Sequence, residues 1–272
     1  MGLDRIVRAV EAETDARMRV RPLPAVERAA AAAPAPRGFA RALAAASGGL
    51  GLIAELKRAS PSAGVIRADF DVAKLAGCLA GAGADALSVL TEKQHFQGEL
   101  ANLELAGAAG LPRLQKDFLT RPYQVFEGRA AGADAILLIA EAVDPARGES
   151  LCRLALDLGM DVLYEAHAPD RVRQVARLAE RHSDRVLVGV NNRDLRTFAV
   201  SLEASFAALR ELSRELLVVA ESGIRDAADV LRLRDAGARG ILVGEALMRT
   251  PDVGAGVHDL LRRVRPRLEA AD

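Results

Sequence analysis

The 272-residue sequence predicts an α/β protein: a (β/α)8 barrel of the TIM type, with an N-terminal helical extension over residues 1 to about 45. Three observations predict it. Eight short apolar runs alternate with helix-like segments, three of those runs are introduced by nearly the same phrase, and ionisable residues gather at the late end of run after run. Strands that alternate with helices form parallel sheets with right-handed crossovers, and eight such units close into a barrel.

The elements follow in order. Leu3, Ile6, Val7 and Val10 repeat at the spacing of an amphipathic helix over residues 1–20. Pro22, Pro24, Pro34 and Pro36 surround an Ala-rich tract, which reads as a short helix inside a connector. Strands are then predicted near 52–57, 86–92, 113–118, 135–140, 161–166, 186–192, 216–222 and 240–245. The phrase Ala82-Gly83-Ala84-Asp85-Ala86 returns as Ala131-Gly132-Ala133-Asp134-Ala135 and as Ala236-Gly237-Ala238-Arg239-Gly240, and more loosely as Leu158-Gly159-Met160-Asp161. A glycine just past a helix end takes the left-handed conformation that stops the helix, after which the chain enters the next strand. An open doubly wound sheet competes with the barrel, but no Gly-x-Gly-x-x-Gly turn follows the first strand. Residues 1–272 read as one barrel domain with its extension.

Composition narrows the function. Lys plus Arg equals Asp plus Glu at 37 each, so no global field attracts nucleic acid or an anionic membrane, and any anion must be caught by a local site. The longest apolar stretches are strand-sized, which argues against a membrane span. The charged start Met1-Gly-Leu-Asp4-Arg5 lacks the apolar core of a secretory signal, and Ile6 stands where myristoylation needs a small hydroxyl residue. Cys78 and Cys152 have no metal-ligand spacing around them and read as small core residues in a reducing, cytoplasmic compartment. P-loop, zinc-helix and nucleophile-elbow motifs are missing, so metal, nucleotide and covalent-serine chemistry are not expected.

Barrel enzymes build their sites at the C-terminal ends of the strands. The candidates there are Glu55 and Lys57, Ser88 and Glu92, Lys116-Asp117, Glu165 and His167, Asn191-Asn192-Arg193-Asp194, and Glu221-Ser222-Gly223. Alternation puts Ile53, Glu55 and Lys57 on one face, Lys116 with Leu114 and Phe118, and Glu165 with Leu163 and His167. Charges on a buried strand mark either a structural ion pair or a polar working cavity. For Lys116 and Glu165 the plain structural alternative is an ion pair in the lumen. Asp117 and Asp194 read as caps or loop hydrogen bonders, and His167 as a helix cap or a partner for a neighbouring carbonyl. His95, His182 and His258 read as surface residues. Ser222-Gly223-Ile224 and Gly244-Glu245 place glycines where backbone N–H groups can meet an anion at a helix N-terminus, after the seventh and eighth strands where this fold binds phosphate.

Taken together, the segments Ile53-Ala-Glu-Leu-Lys-Arg-Ala-Ser-Pro-Ser62, Leu87-Ser-Val-Leu-Thr-Glu92 with Phe96-Gln-Gly98, Lys116-Asp-Phe118, Glu165-Ala-His167, Gly189-Val-Asn-Asn-Arg-Asp-Leu195, Ala220-Glu-Ser-Gly-Ile224 and Leu242-Val-Gly-Glu245 resemble the indole-3-glycerol phosphate synthases. They span residues 53–245 in order. The resemblance implies ring closure of 1-(2-carboxyphenylamino)-1-deoxyribulose 5-phosphate to indole-3-glycerol phosphate with loss of carbon dioxide and water, without cofactor or metal. An aromatic carbon must attack the C2 carbonyl, so a general acid is needed there. The resemblance implies that Lys116 is that acid, with Glu165 opposite as acid or base. Lys57 is implied as a second acid or an anion clamp, with Glu55 as its paired carboxylate. Asn191 and Arg193 would surround the anthranilate ring and carboxylate, and Glu221 would meet the sugar hydroxyls. Ser222, Gly223, Gly244 and Glu245 would bind the phosphate through backbone N–H groups, and Ser60, Phe96 and Phe118 complete the substrate-contacting set. Lysine suits this role because an ammonium stabilises developing oxyanion charge and because burial can lower a lysine's pKa toward the working pH. Lys116→Met is expected to cost at least about a hundredfold in turnover while barely disturbing folding.

Two residues depart from the family pattern. Ala63 stands where a lysine is usual in the first loop, and Ala166 replaces a usual valine. The implied partner is a small phosphorylated substrate, with no nucleic acid or membrane, for a monomer or weak oligomer. The rival readings are another phosphate-binding barrel, such as phosphoribosylanthranilate isomerase or tryptophan synthase α, and a non-catalytic barrel that binds a phosphorylated ligand.

Overall fold

A computed structural model describes residues 2–182, 184–194 and 199–265. Leu195, the last residue of the Gly189–Leu195 segment, lies outside the described residues, as do Met1 and residues 266–272 of the expected domain. The strands are β1 (Gly51–Leu56), β2 (Ala59–Ser60), β3 (Gly64–Val65), β4 (Ala86–Leu90), β5 (Arg113–Lys116), β6 (Ala135–Ile139), β7 (Asp161–Ala166), β8 (Val186–Asn191), β9 (Val218–Glu221) and β10 (Gly240–Val243). The helices are α1 (Leu3–Val20), α2 (Leu23–Ala32), α3 (Phe39–Ala44), α4 (Val72–Gly81), α5 (Ala101–Ala106), α6 (Pro122–Ala130), α7 (Pro145–Asp157), α8 (Pro169–Glu180), α9 (Glu203–Glu211), α10 (Ala227–Ala236), α11 (Glu245–Met248) and α12 (Val253–Leu261).

Strands β1 and β4–β10 close into a parallel barrel in sequence order, as the strand pattern predicts. The small antiparallel hairpin β2–β3 in the loop after β1 was not anticipated. Gly83, Gly132, Gly159 and Gly237 all have positive φ, between 82° and 110°, at the helix stops. The aspartate in the repeated phrase has its own task at the strand entrances. Asp85 accepts the Leu52 N–H at 2.7 Å, and Asp134 accepts those of Arg113 and Arg37, each at 2.8 Å. Each ties a strand's start to its neighbour or to the extension.

Alternation sorts the apolar residues into two layers. Ile53, Ala86, Leu114, Leu137, Leu163, Leu187, Val219 and Leu242 fill the lumen, while Leu52, Ala54, Ile136, Val162, Val188 and Ala166 face the helices. The extension covers both ends of this core. Phe39, Ala40 and Leu43 of α3 join the lumenal cluster and stop its floor, with the Ala40 N–H held by Asp161 at 2.9 Å. Helix α1 runs along the start of α6. Arg17 grips both oxygens of Glu127 at 2.9–3.1 Å, the Thr120 hydroxyl meets Glu11, Arg121 pairs with Asp15, and the Tyr123 hydroxyl donates to the Arg21 carbonyl. Its N-terminal residues Leu3 and Ile6 thereby reach the barrel mouth.

Cys152 is buried as expected, but Cys78 is exposed. The buried stripe of α4 is Val72, Leu75, Ala76 and Leu79, and position 78 falls on the opposite side. Among the described residues no helix is long and apolar enough to cross a membrane.

Candidate active site

A cavity of about 410 Å³ opens at the C-terminal ends of the strands. Glu55, Lys57, Ser60, Phe96, Lys116, Phe118, Glu165, Asn191, Arg193, Glu221, Ser222, Gly223, Gly244 and Glu245 all line it. These are all the site residues that the family resemblance implied; of the other strand-end candidates Asp117 also lines the cavity, while Ser88, Glu92, His167, Asn192 and Asp194 do not. The sheet register explains the convergence. Glu165 on β7 lies beside Gly189 on β8, and Asn191 beside Glu221 on β9, so one inward-facing layer follows the apolar one all round the mouth.

Lys116 stands at the centre of the charges. Its ammonium donates to Glu165 Oε2 at 2.9 Å and lies 3.5 Å from Glu221 Oε2. Asn191 donates to the other oxygen of Glu165 at 2.6 Å, so Glu165 is held from two sides. On the facing wall Lys57 pairs with Glu55. Two glycines make room for these carboxyls: a β-carbon on Gly189 would overlap Glu221 Oε1, and one on Gly244 would overlap Glu55 Oε1. The ion pairs of the structural reading thus form part of the cavity wall.

Protonation follows from the crowding of three carboxyls around one ammonium. Burial opposes the charge on Lys116, but Glu165, Glu221 and Glu55 outweigh it, and its pKa lies above that of an ordinary lysine. The lowering that burial can bring is thus reversed: the carboxylates come from strands far apart in sequence, and burial alone would have given the opposite sign. Burial also opposes the charge on Glu165, yet the charge of Lys116 and the hydrogen bonds from Lys116 and Asn191 hold its carboxyl below the usual range. Glu221 takes the other course. Burial and the neighbouring charge of Glu165 push its carboxyl well above the usual carboxylate range. Asp117, half-buried beside Phe118, is pushed up to about 6 by desolvation, against hydrogen bonds from the Thr91 hydroxyl at 2.5 Å and the Phe118 N–H at 2.8 Å.

The loops supply backbone donors. Ser222 and Gly223 are consecutive left-handed residues with φ of 66° and 78°. A serine there is strained by about 1 kcal/mol or more, the kind of cost found at ligand clamps. Asn192 holds the turn by donating to the Ser222 carbonyl at 3.2 Å. The turn is not at a helix N-terminus as expected, because α10 begins at Ala227, four residues after Gly223, and Asp226 caps it by accepting the N–H groups of Ala228 and Asp229. Gly244 does precede a helix, the single turn α11. The Glu245 carboxylate is bound by Arg249 one turn on, at 2.8–3.0 Å.

Other expectations divide. His167 donates through Nδ1 to the Asn191 carbonyl at 2.7 Å, one of its two expected roles, while Glu141 takes the N–H groups of His167 and Ala168 before α8. His182 and His258 are exposed, but His95 is not a surface residue. Its ring lies against Glu92 at 2.8 Å with a side chain only 10 % exposed. Sequence reading missed Leu3, Ile6, Arg225 and Arg249 on the cavity wall, and it read Asp117, which also lines the cavity, as a cap or loop hydrogen bonder. For Arg249 a signal existed, the i, i+4 spacing from Glu245.

A closed parallel barrel with an ammonium held among carboxyls in a cavity at its mouth places the chain among the (β/α)8-barrel proteins, whose enzymes carry their sites at that end. Solved structures agree on the fold: 3-hexulose-6-phosphate synthase from Salmonella typhimurium superposes with a TM-score of 0.61 at 15 % identity, covering 79 % of this chain and 97 % of that one. A mutant tryptophan synthase alpha-subunit from Pyrococcus furiosus gives 0.57 at 17 % identity over 79 % and 98 %. At such identities the likeness shows architecture alone. Sequence relatives are more specific. The family model described as indole-3-glycerol phosphate synthase matches residues 3–260. The indole-3-glycerol phosphate synthase of Azoarcus sp. (strain BH72) is 46 % identical over 95 % of this chain and 98 % of its own length. Indole-3-glycerol phosphate synthase 2 of Ralstonia nicotianae is 43 % identical over 95 % and 96 %. The chain belongs to the indole-3-glycerol phosphate synthase family. Its function is accordingly the ring-closing, decarboxylating lyase step of tryptophan biosynthesis that yields indole-3-glycerol phosphate.

Proposed function

We propose that Lys116 is the general acid of ring closure, and the observation that carries this is its ammonium held between Glu165 and Glu221 at the mouth. The substrate enters with its phosphate on the backbone of Ser222–Gly223 and Gly244–Glu245, and its aromatic ring against Phe96 and Phe118. The ring carbon that bears the carboxylate attacks C2, and the electron pair of the C2 carbonyl moves to its oxygen. Lys116 gives that oxygen a proton. An alkoxide is a stronger base than any amine, so a lysine with raised pKa still transfers downhill, and it arrives charged at every working pH.

Loss of carbon dioxide returns the bonding pair to the ring and restores aromaticity. The C2 hydroxyl then departs as water with a proton from Lys57, while C1 loses a proton to a lumenal carboxylate. Glu165, ionised and fixed by Asn191, suits that base. Glu55 holds Lys57, Glu221 meets the sugar hydroxyls, and Asn191 and Arg193 meet the anthranilate end, with Ser60 in the first loop. The chain acts as one barrel domain with its extension, as a monomer or weak oligomer in the cytoplasm.

The test is indole absorbance or fluorescence when purified protein meets 1-(2-carboxyphenylamino)-1-deoxyribulose 5-phosphate without added metal or cofactor. Indole formation is expected in the wild type. Lys116→Met with an unchanged rate would remove Lys116 from the mechanism.

A further inference from the structure

We infer that Glu92, a buried carboxylate with no place in the proposed chemistry, is the positioning residue that fixes Phe96 as one wall of the site. This rests on the reading of Phe96 as a substrate contact. Glu92 follows β4 and is 2 % exposed. Its Oε2 accepts the N–H groups of His95 at 2.7 Å and Phe96 at 2.9 Å, and its Oε1 faces the Gln94 N–H at 3.2 Å and the His95 ring at 2.8 Å. Its own carbonyl accepts the Gly98 N–H at 2.8 Å. Every one of these partners belongs to the six residues that follow Glu92, so its charge organises this loop.

The loop needs such a centre. Gln97 is held in the left-handed region at φ 53°, where a non-glycine residue is strained, and the turn that strain completes directs Phe96 to the cavity. There its ring packs tilted against Phe118, with centroids 6.2 Å apart and planes at 39°. A phenylalanine on a loop would otherwise sample several rotamers, and an aromatic substrate would have to order it on binding. Glu92 removes that cost in advance. Its effect should fall on affinity for the aromatic end, and the proton transfers at Lys116 should be indifferent to it.

The experiment combines kinetics with a direct view of the ring. In protein labelled with 3-fluorophenylalanine, which reports on seven phenylalanines, the Phe96 resonance is assigned by its loss in Phe96→Leu. Glu92→Ala is expected to move or broaden that resonance without substrate. It should raise KM about tenfold, the scale of one aromatic contact, with kcat within about twofold. Inhibition by inorganic phosphate should not change, and Glu92→Gln, which keeps one acceptor oxygen, should restore part of the effect. In a Phe96→Ala background Glu92→Ala should raise KM no further. An unmoved Phe96 resonance, or full additivity in the double variant, overturns the inference. A moved resonance in a series where even Phe96→Ala leaves KM unchanged supports the positioning and refutes the substrate contact instead. If Glu92→Ala fails to fold by circular dichroism, Glu92→Gln carries the same comparison.

Discussion

Lys116→Met replaces the central ammonium with an apolar chain of similar length. Lys116 holds the Glu165 carboxyl below its ordinary value of 4.5 despite burial. Because the folded value is depressed, the stability from this pair is complete above about 4.5 and is lost as pH falls through the folded value. Without Lys116 the carboxylate is buried with no cation upon it, and the folded protein relieves this by taking up a proton. Protonating a carboxyl of pKa 4.5 costs about 4 kcal/mol at pH 7.5, three units at about 1.36 kcal/mol each, but only about 0.7 kcal/mol at pH 5.0. That cost caps the destabilisation from Glu165, and Glu221, whose carboxyl is pushed well above the usual range, takes up a proton more readily still. The variant should lose about 3–4 kcal/mol at neutral pH, within the range for breaking a buried pair, and under about 1 kcal/mol at pH 5. Folding is therefore disturbed more than a lone general acid would suggest. Turnover should fall roughly a hundred- to ten-thousandfold at either pH. Urea unfolding followed by circular dichroism at both pH values, with the indole assay alongside, reads both effects. Equal destabilisation at the two pH values would refute the coupling of Lys116 to Glu165.

Other perturbations test separate parts of the site. Gly189→Ala puts a β-carbon into Glu221 Oε1 and against the Glu165 backbone at 3.1 Å; turnover should fall about a hundredfold, the scale of a 1 Å misplacement, with unchanged phosphate inhibition. Asp117→Asn removes a carboxyl raised from 3.8 to about 6, whose ionisation destabilises the fold progressively as pH rises through that window. The variant should gain up to about 3 kcal/mol relative to wild type between pH 4 and pH 8, less what water at the mouth returns, and a pH-independent difference in urea midpoints would contradict the burial argument. Arg17→Ala removes all three hydrogen bonds to Glu127 and should loosen α1 over the mouth. Faster proteolysis within residues 1–20 and a higher KM are expected, and an unchanged KM would separate Leu3 and Ile6 from substrate binding.

How much of this was legible in the sequence depends on the range over which each feature is decided. The barrel and its site ring rest on local periods. A strand shows alternate residues to the lumen, a left-handed glycine ends each helix, and Glu55, Lys116, Glu165, Asn191 and Glu221 fall at the same end of their strands, so closure alone brings them together. What failed depends on contacts between elements. The stripe Leu3, Ile6, Val10 announces a buried face without saying against what, and its cover over the mouth is fixed by Arg17, Asp15 and Glu11 meeting α6 and the residues just before it. The sign of the Lys116 shift depends on three carboxyls from β1, β7 and β9, which no local window contains. Glu92 lies between these cases. Its partners lie two to four residues on, within reach of a sequence reading, but a glutamate after a strand is read first as chemistry when it can equally be scaffolding. What separates the two is where its oxygens go: those of Glu165 meet side chains from other strands inside the cavity, and those of Glu92 close on its own loop.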